Sequence, residues 1–124
     1  MLEFATAVVI GLAIFALSAQ PNLHVSSQPL LDYAAHKIGH MVAYGLLALV
    51  MELMLEDVDV ARRQAVLVTL LLVVGYGATD ELHQAFVPGR TPSPIDVTVD
   101  LAGGIAALML SRRWPARLDD LRPS

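Results

Sequence analysis

Three short stretches hold nearly all the side chains that could do chemistry. His36, Lys37, His40 and Tyr44 form the first, and Asp80, Glu81, His83 and Gln84 the second. Arg90 stands in a run of prolines and glycine, and Asp96 and Asp100 follow it. Imidazoles and carboxylates can move protons, while lysine and arginine can hold an anion. Carboxylates and amides can take hydroxyls or amides by hydrogen bonding. His36 and His40 are spaced i, i+4, which permits a shared metal. Lys37, however, stands where a zinc-protease H-E-x-x-H helix needs its glutamate, so that reading fails and no metal ligand set is assigned. With no cysteine in the chain, thiolate metal sites, disulfides and thiol nucleophiles are excluded.

The elements that carry these residues follow from composition. Hydrophobic residues make up 56% of the 124 residues and charged residues 16%, against about 45–50% and about a quarter in soluble domains. A single domain over 1–124 with so few polar groups has lipid as its solvent. A net charge of −4 argues against general nucleic-acid binding. Uncharged windows at 4–19, 38–51, 64–79 and 101–111 predict four transmembrane helices near 4–20, 36–54, 64–84 and 96–113 once their flanks are added. Backbone groups cannot stay unpaired in hydrocarbon, so the spans are helical, and the unbroken apolar runs lack the alternation of a membrane β-barrel. The expected fold is an all-α integral membrane protein, a bundle of about four helices. Six of the eight basic residues are Arg62, Arg63, Arg112, Arg113, Arg117 and Arg122. The positive-inside rule therefore puts both termini in the cytoplasm and the loops 21–35 and 85–95 outside.

That topology gathers the unusual residues on one side. Five acids (Asp32, Asp80, Glu81, Asp96, Asp100) meet two bases (Lys37, Arg90) there. One Asp at the centre of a span costs about 2.5–3.5 kcal/mol on insertion scales, less near the interface. Groups this numerous are expected to face one another around an outward-opening polar pocket rather than face lipid. The spacings agree: His36, His40 and Tyr44 at i, i+4, i+8, Asp80 with Gln84 at i, i+4, and Asp96 with Asp100 at i, i+4 each form a stripe. A structural reading stands beside this one. In it Lys37 snorkels to the headgroups, Asp96 and Asp100 serve the helix dipole, and Arg90 clamps Asp80, Glu81 or Asp96.

The pattern Lys37-x-x-His40-x-x-x-Tyr44-Gly45-Leu46-Leu47 resembles the first signature of the VanZ-like membrane proteins. Asp80-Glu81-x-x-Gln84-x-Phe86-Val87-Pro88-Gly89-Arg90, followed by Ser93, Asp96, Gly103 and Gly104, resembles the second. Where that family commonly has asparagine, this chain has Asp100. The resemblance implies a small bacterial multi-span protein of the cytoplasmic membrane, in a family named for a member associated with teicoplanin resistance. It also implies a functional set of Lys37, His40, Tyr44, Asp80, Glu81, Gln84, Arg90, Ser93 and Asp96.

Three functions compete. In the first, the pocket binds an envelope lipid, a lipid-linked cell-wall precursor or a glycopeptide-like ligand, with Lys37 and Arg90 on its anionic group. In the second, an intramembrane enzyme acts on a lipid-linked or phosphate-bearing envelope substrate. His40 is then acid or base, oriented by Asp80 or Glu81, and a divalent ion is conceivable. The third is a transporter, which lacks a continuous polar path because the inner halves are uncharged apart from Glu52; a homo-oligomer could build one.

Overall fold

The computed structural model describes residues 1–21 and 24–112 of the chain, and among them every regular element is an α-helix. The four are α1 (Leu2–Ser18), α2 (Pro29–Glu56), α3 (Arg62–Gln84) and α4 (Pro94–Arg112). The last three are long and apolar enough to cross a membrane. The first has 17 residues and at 1.5 Å per residue reaches about 25 Å, short of the roughly 30 Å hydrocarbon core. The basic tail at Arg113, Arg117 and Arg122 lies outside the described residues.

One boundary departs from expectation. The second helix starts at Pro29, so much of the expected outer loop 21–35 is helical. Proline at a helix start loses no hydrogen bond and arrives with its φ already helical; here it begins the helix rather than interrupting the chain. Asp32, in the first turn, accepts the backbone N–H groups of Val25 (2.6 Å) and Ser26 (3.2 Å), folding the preceding segment onto the helix start. Proline opens α4 as well, at Pro94. The α3–α4 loop turns at Gly89, whose φ of 78° is open to glycine and strained for other residues.

The bundle centres on α2, which packs against all three other helices and most extensively against α4; α1 rests on α2 and touches α3 only slightly. The α2–α4 crossing is a backbone-to-backbone contact. A Cβ on Gly103 would run into the Met41 carbonyl and lie 2.7 Å from Met41 Cα, and one on Gly45 would lie 3.1 Å from the Gly103 carbonyl oxygen. Small residues permit such approach where no hydrophobic force drives helices together.

Inside and outside are reversed relative to a soluble domain. Ser18, Glu52, Thr69, Asp80, Glu81, Gln84 and Asp100 are buried beside Tyr44, Leu47, Ala48 and Val73. Phe4, Leu12, Ile38, Leu67, Leu71 and Leu110 stand exposed on the perimeter. An apolar skin of this extent calls for a partner of the same kind, which lipid supplies.

Candidate functional site

Antiparallel packing brings the C-terminal ends of α1 and α3 to the N-terminal ends of α2 and α4, and the expected polar residues meet there. His40 Nδ1 lies 2.8 Å from Asp100 Oδ1. The Ser18 hydroxyl donates to Asp80 Oδ2 (2.7 Å), and Gln84 Nε2 donates to the same oxygen at 3.4 Å. The Ser93 backbone N–H donates to Glu81 Oε2 (2.6 Å), tying the outer loop to α3. Lys37 forms an ion pair with Asp96, its amine also 5.0 Å from the centre of the Tyr33 ring. The His40–Asp100, Ser18–Asp80, Ser93–Glu81 and Lys37–Asp96 contacts cross between elements, so the polar stripes seat helices against one another as well as facing a common space.

That space is a cavity of about 580 Å³. Six of the nine residues implied by the family pattern line it: Lys37, His40, Gln84, Arg90, Ser93 and Asp96, together with His36 and Asp32. The other three stand behind this wall. Asp80 and Glu81 are buried. Tyr44 is fully buried, one turn below His40, with the two rings nearly parallel and 6.0 Å apart. A second, smaller cleft of about 330 Å³ runs between α1 and α2, with Tyr44 in its lining.

Two expected pairings differ. The carboxylate at His40 is Asp100 rather than Asp80 or Glu81, because α4 packs closer to α2 than α3 does at this level, across Gly103. The cation that meets Asp96 is Lys37, and among the described residues Arg90 has no ion-pair partner. Arg90 therefore is no clamp; it lines both the cavity and the cleft. His83 turns toward α1 and packs its ring 4.3 Å from that of Phe15, outside the cavity.

Asp100 and Ser18 are functional candidates outside the nine residues that the family pattern implies. Asp100 had a signal, a carboxylate one turn deeper than Asp96 in an apolar span. Ser18 had none, since a lone hydroxyl near a helix end is common. Several buried atoms keep unused hydrogen-bonding capacity: the Tyr44 hydroxyl, Asp80 Oδ1, Glu81 Oε1 and Asp100 Oδ2. Such groups are costly to bury unless something pairs with them. Among the described residues, no three histidine or carboxylate side chains converge as a metal site requires.

Sequence comparison adds a family to this geometry. No curated protein and no solved structure matches the chain. The family model described as VanZ/LLP1 matches residues 4–115, a stretch that takes in all four helices and the whole polar cluster. The chain is a helical membrane protein belonging to the VanZ/LLP1 family.

Proposed function

We propose that the chain crosses a bacterial cytoplasmic membrane four times, with both termini inside. Its outward cavity binds an envelope lipid, a lipid-linked cell-wall precursor or a glycopeptide-like ligand. The short first helix crosses with local thinning of the bilayer, a modest cost per ångström of mismatch. The arginine pairs Arg62–Arg63 and Arg112–Arg113 favour this orientation.

The carrying observation is the Arg90 guanidinium, without an ion-pair partner among the described residues, at the wall of a 580 Å³ cavity. It sits where Lys37 and Asp96 already neutralise each other. A guanidinium in such a place binds carboxylate or phosphate by paired, charge-assisted hydrogen bonds. Binding of this kind fits an envelope role, with protection against glycopeptides such as teicoplanin as one outcome.

A second reading has one observation in its favour. The His40–Asp100 contact uses Nδ1 and leaves Nε2 available to a ligand, the arrangement by which a carboxylate orients an acid–base histidine. An intramembrane enzyme acting on a phosphate-bearing lipid would use it so, with Arg90 stabilising developing negative charge.

Titration of the purified protein with phosphatidylglycerol, a polyprenyl phosphate and teicoplanin, in wild type and in Glu81→Gln and His40→Ala variants that remain folded, tests both readings. Binding lost in the variants without turnover supports the first. Turnover abolished by His40→Ala supports the second. Binding unchanged in folded variants, with no turnover that His40→Ala abolishes, contradicts both.

A further inference from the structure

The cavity and the α1–α2 cleft share His36, His40 and Arg90 in their linings, so the polar space continues sideways into an apolar slot. Ile14 and Leu17 form one wall of that slot, Gly39 and Ala43 the other. Leu17 is 58% exposed, so the slot opens on the bundle surface. A Cβ placed on Gly39 would meet nothing within 4 Å; the glycine leaves an opening instead of seating a neighbouring helix, as Gly103 does.

We propose that the ligand of this site is a membrane lipid with a phosphate headgroup, which enters laterally and keeps its hydrocarbon chain in the slot between α1 and α2. The inference rests on the pocket reading above and narrows it. A water-soluble ligand reaches the cavity from its aqueous mouth and needs no side opening. A lipid does need one, because drawing its chain out of hydrocarbon costs about 0.8 kcal/mol per methylene. Arg90 stands at the junction of the two spaces, where the phosphate of a lipid meets its chain. Its charge has no partner among the described residues.

The test measures phosphatidic acid against phosphatidylcholine bound to the protein in nanodiscs, and glycerol 3-phosphate as a chain-free headgroup. Wild type, Gly39→Phe and Leu17→Trp are compared, the last two filling the slot from opposite walls. The expected result is enrichment of phosphatidic acid on wild type, a fall of about tenfold in both variants, and undiminished uptake of glycerol 3-phosphate. Lipid binding at the wild-type level in folded forms of both variants would overturn lateral entry. So would wild type that takes glycerol 3-phosphate and never phosphatidic acid, while the pocket itself would stand. Wild type that binds neither phosphate would overturn the phosphate-headgroup ligand and, with it, lateral entry through the slot. A change of oligomeric mass in the variants, with lipid binding unchanged, would assign the slot to a second copy of the chain and overturn the lipid.

Discussion

His40 and Asp100 are separated by sixty residues of chain and meet at 2.8 Å, joining α2 to α4 just above the closest helix–helix crossing in the bundle. Asp100 is fully buried, and its second oxygen faces Gly77, where a Cβ would lie 2.9 Å away. Three helices thus converge on a single carboxylate. Replacing His40 by alanine strands that carboxylate, and replacing Asp100 by alanine removes the ring's anchor. Each change is expected to cost about 1–3 kcal/mol of stability. In a double-mutant cycle read by denaturant unfolding in micelles, the pair should show coupling of at least about 0.5 kcal/mol. Strict additivity would mean that the contact does not hold the helices.

Gly103→Ala should destabilise the fold by about 1–3 kcal/mol, the usual cost of overpacking, because the added methyl meets Met41 backbone, which cannot rotate away. Gly39→Ala, in open space, should be neutral or slightly stabilising. Thermal unfolding of the two variants side by side checks the contrast.

Ser18→Ala removes the hydroxyl that donates to buried Asp80, the one side-chain hydrogen bond between the last turn of α1 and α3. A loss of about 1 kcal/mol is expected, concentrated in α1. Hydrogen exchange should accelerate in α1 before it does in α2 or α4.

Orientation has its own test. The chain has no cysteine, so a single Thr91→Cys variant reports on the loop that borders the cavity. A membrane-impermeant maleimide added to intact cells should label it, and Arg63→Cys should react only after the membrane is opened.

Much of the architecture was readable in the residues because lipid penalises charge so steeply. Uncharged windows located the helices, and the acids and bases that interrupt them located the polar end of the bundle. Three things were not readable. Pro29 reads equally as an interruption or as a first helical residue, and only the Asp32 contacts with Val25 and Ser26 decide for the second. The partner of His40 depends on which helix approaches α2 most closely, a consequence of Gly103 meeting Met41 that no stripe of spacing encodes. Arg90 has four carboxylates nearby in the sequence, yet Asp96 pairs with Lys37 from the facing helix. Pairing choices of this kind are settled by three-dimensional packing.

The most direct measurement on the site as a binding pocket is a paired one on Arg90→Gln: unfolding free energy, and affinity for a phosphate-headgroup lipid. An arginine with no ion-pair partner among the described residues adds little to the fold, so stability should move by no more than about 0.5 kcal/mol. Affinity should fall about tenfold or more, the worth of a charge-assisted hydrogen bond. A variant that loses stability while binding the lipid as wild type does would contradict the account and make Arg90 a structural residue.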